Sequence, residues 1–293
     1  SPMISVIIPT YNRPKQLKAC LAAVAGLEYP RDCFEVIVVD DGGEVALNKD
    51  MAEFKDQLDL TWLRQENAGP ATARNTGAKN ARGRFLAFTD DDCLPGPGWL
   101  QAYADQFAQT PDAMLGGRVL AQQPENLYAH ASQLILDMVF EKYEMHPNQT
   151  HFFGAGNLAI SADLFHRAGG FDGSFKVSED REFCDRCLLQ GIRLGYVPGA
   201  AVYHGHDLNL CRFWRQYFNY GRGAFQFHQK RMQRNSRSCT IDLGQHLNAR
   251  HWLFQPFSRV KWQKAIPLAA TLIVWQIANA TGFAWEAMNK NKN

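Results

Sequence analysis

The chain has 293 residues, of which 46% are hydrophobic and 20% are charged, which excludes a disordered or fibrous protein and fits one large folded domain with an appendage. The net charge of +2 hides an asymmetry, because residues 1–207 carry 18 Lys/Arg against 27 Asp/Glu, whereas residues 208–285 carry eleven Lys/Arg against one Asp. We therefore predict an acidic domain, residues 1–207, followed by a basic, aromatic C-terminal extension, residues 208–293.

The first 90 residues alternate strand and helix patterns. Runs of β-branched or apolar residues predict strands at Ile4–Ile8, Phe34–Val39, Leu60–Leu63 and Phe85–Phe88. Helical patterns that begin at or just after a proline predict helices at Lys15–Ala25 and Pro70–Ala81. The alternation βαβαβαβ predicts a parallel sheet with right-handed crossovers.

The second half of the chain is less regular. Its pattern predicts a strand around Met114–Leu120, a helix from Asn126 to about Tyr143, a Gly-rich turn at residues 152–156 that leads into a strand, and short strands at Leu194–Val197 and Ala201–Tyr203. Ser178–Gln190 is predicted to be a helix with Ser178 as its N-cap, and a long helix begins at Leu210.

The seven cysteines are an odd number and have no disulfide-framework spacing, and no signal peptide is recognisable. We therefore expect reduced cysteines and a cytoplasmic protein. Cys184 and Cys187 have the spacing of a redox motif, but they fall inside a predicted helix, and we interpret the pair as structural.

Polar residues follow three of the predicted strands: Pro9-Thr10-Tyr11-Asn12, Asp40-Asp41 and Asp90-Asp91-Asp92. Ligands of open α/β sheets bind at the carboxyl ends of the strands. Two carboxylates about 4 Å apart repel by roughly 4 kcal/mol at an effective dielectric of about 20, so an Asp triplet is costly unless a cation neutralises it. Such oxygen ligands suit Mg²⁺ or Mn²⁺, with phosphate oxygens completing the coordination. The alternative is a solvated acidic turn.

Five blocks of sequence resemble the family 2 glycosyltransferases, which are inverting enzymes of the GT-A fold. They are Val6-Ile7-Ile8-Pro9-Thr10-Tyr11-Asn12, Val38-Val39-Asp40-Asp41-Gly42, residues 67–75 (Asn-Ala-Gly-Pro-Ala-Thr-Ala-Arg-Asn), Asp90-x-Asp92 and Ser178-Glu179-Asp180. The resemblance covers roughly the first 205 residues. It implies a GT-A-like, mostly parallel α/β sheet with helices on both faces, here with a helical C-terminal extension.

The resemblance also implies a function: metal-dependent, inverting transfer of a sugar from a nucleotide-sugar, which we expect to be a UDP-sugar, to a glycan or lipid-linked acceptor. The chain lacks the Gln-x-x-Arg-Trp block of processive synthases, so we expect one sugar to be transferred at a time. A nucleotidyltransferase would also use carboxylates and Mg²⁺, but the first strand does not open into a Gly-rich phosphate loop. The non-enzymatic alternative is an inactive nucleotide-sugar-binding scaffold.

Donor-side roles follow from the resemblance. Pro9, Tyr11 and Asp40 would line the base pocket, and Arg74 would lie near the base and phosphates, unless it is only a surface helix arginine. Asp90 would contact the ribose or a metal-bound water and is also assigned as a metal ligand, and Asp92 would ligate Mn²⁺ or Mg²⁺. Asn12 and Asp91 are also assigned to the donor side. His204 is a candidate further metal ligand, with a structural role, or replacement by His206, as the alternatives.

Asp180 is the candidate general base, because inversion needs a carboxylate opposite the leaving diphosphate to take the acceptor proton. Its position in the first turn of a predicted helix favours the ionised form, although Glu179 and Asp180 could merely complement the helix dipole. Gly154, Gly156, Asn157 and Glu179 are assigned to the acceptor side.

The C-terminal extension contains an uncharged, largely apolar segment, Ala265–Trp285, preceded by Arg259, Lys261 and Lys264. Its length would allow a helix to span a membrane. Three hypotheses compete: an interfacial helix on anionic lipid, a transmembrane anchor, and a helix packed on its own domain or on a second copy. We favour peripheral attachment to the inner face of the cell membrane, followed by homodimerisation, and we expect no nucleic-acid partner.

Overall fold

The structure is a computed structural model that describes residues 3–45, 47, 51–146, 150–205, 208–234 and 249–290. Two compact units are present. The first comprises Ser1–Leu120 and Lys142–Gly205, and the second comprises Ala121–Glu141 and His206–Asn293. The second unit thus takes in Ala121–Glu141, which the sequence interpretation grouped with the first 207 residues.

The first unit is organised around an eight-stranded mixed sheet of order β3-β2-β1-β4-β7-β6-β8-β5. The strands are β1 (Ile4–Thr10), β2 (Phe34–Asp40), β3 (Leu60–Arg64), β4 (Phe85–Thr89), β5 (Cys93–Pro95), β6 (Met114–Ala121), β7 (Asn157–Ser161) and β8 (Leu194–His204). The β3-β2-β1-β4 half is parallel, whereas β7 pairs antiparallel with β4 and β6, and β5 pairs antiparallel with β8. The predicted parallel βαβ half is therefore confirmed.

Nine α-helices have described bounds: α1 (Pro14–Ala25), α2 (Pro70–Asn80), α3 (Trp99–Gln109), α4 (Leu127–Met145), α5 (Ala162–Arg167), α6 (Glu179–Leu189), α7 (Leu210–Gln233), α8 (Ala249–Arg259) and α9 (Trp262–Lys290). Helices α1 and α2 each begin with proline, whose fixed φ suits the first helical turn and whose missing N–H is not needed there.

Strand β2 shows how helices cover both faces of the sheet. Its residues Val36 and Val38 pack in the same cluster as Leu21 of α1, whereas the alternate residues Ile37 and Val39 pack with Ala73 of α2. Successive side chains of a strand point to opposite faces, so the two helices lie on opposite sides. Burial on both faces explains why β1, β2 and β4 are mostly apolar in the sequence, and Ser5 and Glu35, which are buried within them, hydrogen-bond to each other.

Three local predictions differ from the structure. Ser178 precedes α6, but it has φ 69° and its side chain makes no capping hydrogen bond, so it is a left-handed turn residue. The two short strands predicted at 194–203 form one strand, β8. Strand β5 and helices α3, α5 and α8 were not predicted. Cys184 and Cys187 are buried free thiols on α6.

The second unit is helical, and its core includes Phe213 and Tyr217 of α7 and Leu268, Leu272 and Trp275 of α9. These two helices cross at glycines. A Cβ atom placed on Gly221 would lie 2.0 Å from the carbonyl oxygen of Asn279, and one placed on Gly282 would lie 1.9 Å from that of Phe218. The crossing therefore requires glycine at both positions. By length and composition, α9 could cross a membrane.

Candidate active site

The ends of β1, β2 and β4 lie side by side, because β1 pairs in parallel with both other strands. The Asp90–Asp92 turn after β4 is therefore adjacent to Thr10, whose Oγ1 donates a 2.8 Å hydrogen bond to Asp91 Oδ2. Asp91 is 4% exposed. Burial raises the pKa of Asp91 to about 6, and the charges of Asp92 and Asp90 act in the same direction, against the Thr10 hydrogen bond and Arg13.

Arg13 is a site residue that the sequence interpretation missed. Its Nη1 atom lies 3.2 Å from Asp91 Oδ1 and 2.9 Å from Asp92 Oδ2, and half of the side chain is exposed. The guanidinium thus supplies part of the positive charge that the Asp triplet requires. The signal was available, since Arg13 directly follows the polar residues that end β1.

Arg74 joins two acids that are far apart in the sequence. Its Nη2 donates to Asp90 Oδ1 at 2.6 Å, and its Nη1 donates to Glu179 Oε1 at 2.7 Å. Although burial alone would lower the pKa of Arg74, the charges of Asp90 and Glu179 outweigh it and raise this pKa. Arg74 is buried, so the alternative of a surface helix arginine is excluded. The bridge holds the start of α6 beside the end of β4.

The turn that aims Arg74 is built by Asp41. The Asp41 carboxylate accepts hydrogen bonds from the backbone N–H groups of Ala68 at 2.9 Å and Gly69 at 2.8 Å. Gly69 has φ +90°, a conformation that L side chains rarely adopt, and Pro70 then starts α2. The Gly-Pro turn therefore fixes where α2 begins and which way Arg74 projects.

Asp180 lies in the first turn of α6, against the Gly-rich turn before β7. Its Oδ2 accepts a 3.2 Å hydrogen bond from the N–H of Ala155, and its Oδ1 accepts one of 2.8 Å from the N–H of Arg181. Burial and the neighbouring charge of Glu179 raise the pKa of Asp180 to about 7, against these hydrogen bonds and Arg74. The carboxyl can therefore exchange a proton near neutral pH.

The glycines of this turn lie against the two carboxylates. A Cβ atom on Gly156 would lie 2.8 Å from Asp90 Oδ2, and one on Gly154 would lie 3.8 Å from Asp180 Oδ2. A side chain at position 156 would therefore displace Asp90. The turn brings backbone, rather than side chains, between Asp90 and Asp180.

Asp92 and His204 form a possible metal site. His204 Nε2 lies 3.1 Å from Asp92 Oδ1, and possible ligand atoms of Asp92, Cys93 and His204 all lie within 4.8 Å of one another. Antiparallel pairing of β5 with β8, which places Cys93 opposite His204, brings them together. Burial raises the pKa of the Cys93 thiol well above its usual value, and a soft sulfur ligand does not suit Mn²⁺. The carboxylate and imidazole that remain suit Mn²⁺.

Of the two other candidate ligands, only Asp90 falls within the part of the chain that the structure describes. Asp90 is outside the cluster, because its Oδ1 is bound by Arg74. His206 lies outside the described residues.

The predicted base pocket contains a buried acceptor atom that has no hydrogen-bond partner among the described residues. Asp40 Oδ1 accepts from the N–H of Gly43 at 2.9 Å, but Asp40 Oδ2 has no hydrogen-bond partner within the described part of the chain, and Arg64 Nε is 3.8 Å away. Pro9 is buried nearby in β1, opposite Val39. Tyr11 is 48% exposed. A carboxylate oxygen that makes no hydrogen bond could accept one from a ligand N–H.

Asn12 and Asn157 are used inside the fold. Asn12 Oδ1 accepts from the N–H of Glu44 at 2.8 Å and so shapes the loop after β2. Asn157 is 2% exposed, and its amide makes four hydrogen bonds, which involve the Trp99 ring N–H, the Tyr103 hydroxyl and two backbone carbonyls. Asn157 therefore links β7 to α3, β6 and β8, whereas the sequence interpretation placed it on the acceptor side.

Comparisons with known proteins all indicate the same family. The family model "Glycosyl transferase family 2" matches residues 5–169. The chain is 36% identical over 235 residues to glycosyltransferase AglE of Haloferax volcanii, which covers 77% of this chain and 74% of that protein. It is 30% identical over 236 residues to chondroitin synthase of Escherichia coli, which covers 69% of this chain but 34% of that protein. The chain thus spans only about a third of that longer relative.

Solved structures show the same fold. Mannosyltransferase PcManGT from Pyrobaculum calidifontis, solved in complex with GDP-Man and Mn²⁺, aligns with a TM-score of 0.69 at 21% identity, over 97% of this chain and 88% of that one. S. aureus TarS 1–349 in complex with UDP-GlcNAc aligns with a TM-score of 0.57 at 16% identity, over 98% and 92%. The likeness to these solved structures supports the GT-A-like fold. The match to the family model and the identity to AglE show which family the chain belongs to. The chain belongs to glycosyl transferase family 2.

Proposed function

We propose that this family 2 glycosyltransferase transfers a single sugar from a nucleotide-sugar to a glycan or lipid-linked acceptor, with inversion at the anomeric carbon. The observation that carries the proposal is the Arg74 bridge between Asp90 and Glu179. The bridge joins the donor-side acids at the end of β4 to the start of α6, where Asp180 lies. The two groups of acids therefore belong to one site. An arrangement of this kind serves a reaction in which one end binds a diphosphate and the other takes a proton.

On the donor side, Asp40 Oδ2, which makes no hydrogen bond within the described part of the chain, would accept one from an N–H of the nucleotide base, beside Pro9 and Tyr11. Both uracil and guanine offer such an N–H. A UDP-sugar remains our preferred donor, and a GDP-sugar is the first alternative, since PcManGT was solved with GDP-Man and TarS with UDP-GlcNAc. Arg13 and Arg74 would balance the charge of the diphosphate.

Asp92 and His204 would hold a divalent cation, Mn²⁺ or Mg²⁺. The donor set fits, because a carboxylate oxygen and an imidazole nitrogen already lie 3.1 Å apart. When bound, the ion would offset the negative charge on the leaving diphosphate. Asp90, held by Arg74, would orient the ribose or a water molecule rather than ligate the ion directly.

On the acceptor side, Asp180 would act as the general base. As the acceptor oxygen bonds to the anomeric carbon and the bond to the diphosphate breaks, the hydroxyl proton passes to Asp180. Two backbone N–H groups orient its carboxylate, and a pKa of about 7 leaves it able to gain a proton at neutral pH. Gly154 and Gly156 would admit the acceptor close to the backbone.

The test is a screen of UDP- and GDP-sugars with Mn²⁺, Mg²⁺ or chelator, in which donor binding is measured by calorimetry and donor hydrolysis by release of the nucleoside diphosphate. We expect metal-dependent binding of one donor and slow hydrolysis that Asp180→Asn abolishes without loss of donor affinity. Binding without any turnover would support the scaffold hypothesis. Formation of nucleoside triphosphate and sugar 1-phosphate after pyrophosphate is added to the nucleotide-sugar would indicate a nucleotidyltransferase.

A further inference from the structure

The Asp90–Asp92 turn contacts two arginines that are held in different ways. Arg74 is buried, and its guanidinium bridges the acids at the end of β4 and the start of α6. Arg13 leaves 51% of its side chain exposed, and its Nη1 atom lies 2.9 Å from Asp92 Oδ2 and 3.2 Å from Asp91 Oδ1. Arg74 is therefore a fixed part of the site, whereas Arg13 can leave its partners without disturbing the core.

Much of the Arg13 guanidinium is available to a ligand. Both of its contacts use Nη1, and its Nε and Nη2 atoms donate no hydrogen bond within the residues that the structure describes. A guanidinium presents its N–H donors in a planar fork that matches the oxygens of a phosphate group. The proposed base pocket at the end of β2 and the acids at the end of β4 lie on either side of β1. A diphosphate that joins base to sugar would therefore pass beside Arg13, which directly follows the end of β1.

Arg13 and a divalent cation would bind the same carboxylate. Asp92 Oδ2 accepts a hydrogen bond from Arg13, while Asp92 Oδ1 lies 3.1 Å from Nε2 of His204, the other candidate metal ligand. A divalent cation on Asp92 would thus lie beside a guanidinium, and like charges repel strongly where protein replaces water. Arg13 also neutralises part of the negative charge that would attract the cation. Both effects weaken cation binding for as long as Arg13 stays on Asp92.

We propose that Arg13 is an exchangeable counter-cation, which shields Asp92 from a divalent cation until the diphosphate of the nucleotide draws the guanidinium away. The nucleotide half of this inference rests on the proposed function. When Arg13 leaves, Asp91 keeps the 2.8 Å hydrogen bond from Thr10. A nucleotide that binds Arg13 and a cation that binds Asp92 favour the same arrangement, so each tightens the binding of the other by the same factor. The cation is thus taken up together with the nucleotide and is released when the nucleoside diphosphate leaves.

The test is Mn²⁺ binding by the full chain, followed by the EPR signal of the free ion, without nucleotide and with saturating UDP or GDP, after subtraction of the Mn²⁺ that free nucleotide binds. We expect the wild type to bind Mn²⁺ at least about tenfold more tightly with nucleotide, which lies within the roughly 5–150-fold range usual for coupled sites.

Arg13→Met should reverse this balance. It should bind Mn²⁺ alone about tenfold or more tightly than the wild type does, since a positive charge beside the ion is gone. Calorimetry should show that the same variant binds UDP or GDP about tenfold or more weakly, since a charge-assisted hydrogen bond to phosphate is lost. The factor by which nucleotide tightens Mn²⁺ binding should shrink accordingly.

Two variants serve as controls. Arg13→Lys keeps the charge and should bind Mn²⁺ alone as weakly as the wild type does. Lys15→Met removes one positive charge two residues away, from an exposed side chain with no carboxylate partner among the described residues, and should bind Mn²⁺ and nucleotide as the wild type does. Thermal melts identify a variant that fails to fold, and Arg13→Gln replaces Arg13→Met in that event.

Two results would overturn the proposal: a Mn²⁺ affinity of the nucleotide-free protein that Arg13→Met leaves unchanged or weakens, or a wild-type Mn²⁺ affinity that nucleotide does not alter. Failure of the proposed function gives a different pattern. Neither UDP nor GDP would then bind any variant, while Arg13→Met would still tighten Mn²⁺ binding by the free protein.

Discussion

Asp180→Asn should slow the reaction and yet stabilise the protein at alkaline pH. The folded environment raises the pKa of Asp180 from an ordinary 3.8 to about 7, through burial first and the charge of Glu179 second. A carboxyl raised in this way contributes stability that is complete below pH 3.8 and is lost as the pH rises through about 7. Asparagine stays neutral at every pH, so it never incurs that loss.

The magnitude follows from the pKa difference. Each pKa unit corresponds to 1.36 kcal/mol, so a rise from 3.8 to about 7 lowers the free energy of unfolding by up to about 4 kcal/mol at pH 8. This is an upper limit, because the side chain keeps some contact with solvent. The amide offers one acceptor oxygen where the carboxylate offers two, and it loses one backbone hydrogen bond, which costs about 1 kcal/mol. The net gain is up to about 3 kcal/mol at pH 8.

The assay is urea denaturation at pH 5 and pH 8, together with turnover of the donor that the screen identifies. At pH 5 the stability gain should shrink below about 1 kcal/mol, because the wild-type carboxyl is then largely protonated in the folded state. Turnover should fall by about 10²–10⁴-fold, the usual contribution of general base catalysis. For the wild type, kcat/KM should decline as the pH falls through about 7.

The neighbouring acid is the control. Glu179→Gln removes one of the two carboxylates that pair with Arg74, so it should destabilise the protein at both pH values. The reasoning would be refuted if Asp180→Asn were less stable than wild type at pH 8, or if its effect on stability did not change with pH. Loss of nucleotide binding by this variant would place Asp180 in the donor pocket and not at the acceptor.

Three further outcomes are expected. Arg74→Met should lower the free energy of unfolding by about 3–5 kcal/mol, because two carboxylates lose their buried partner, and urea denaturation measures it. Asp92→Ala should abolish the effect of Mn²⁺ on donor binding in calorimetry while the melting temperature changes little; full activity in chelator would contradict the metal assignment. Asn157→Leu should lower the free energy of unfolding by about 2–5 kcal/mol, since the buried Trp99 ring N–H and Tyr103 hydroxyl lose their acceptor. A neutral effect would contradict the structural role assigned to that amide.

Local sequence was sufficient for the parallel half of the sheet. Strands predicted at Ile4–Ile8, Phe34–Val39 and Phe85–Phe88 are observed as Ile4–Thr10, Phe34–Asp40 and Phe85–Thr89. A strand buried on both faces must be largely apolar, so the signal lies within the segment itself. The same holds for the two proline-initiated helices and for the acids at the strand ends.

The antiparallel half depended on contacts that no local pattern encodes. Strand β7 inserts between β4 and β6, and β5 pairs with β8 across more than a hundred residues, which brings Cys93 opposite His204. Short strands gain most of their stabilisation from their partners, and a three-residue strand such as β5 has no signal of its own.

Tertiary structure also decided the use of individual polar residues. The sequence could place Asn157 next to a glycine turn. It could not show that the amide would hydrogen-bond to the Trp99 ring N–H, the Tyr103 hydroxyl and two backbone carbonyls. Nor could it show that Arg13 would pair with Asp91 and Asp92, or that Arg74 would join Asp90 to Glu179. The sequence alone determined which residue types stand at the ends of the strands. Their partners were set by the fold, because a buried charge must be paired and only the packed chain decides which opposite charge comes within reach.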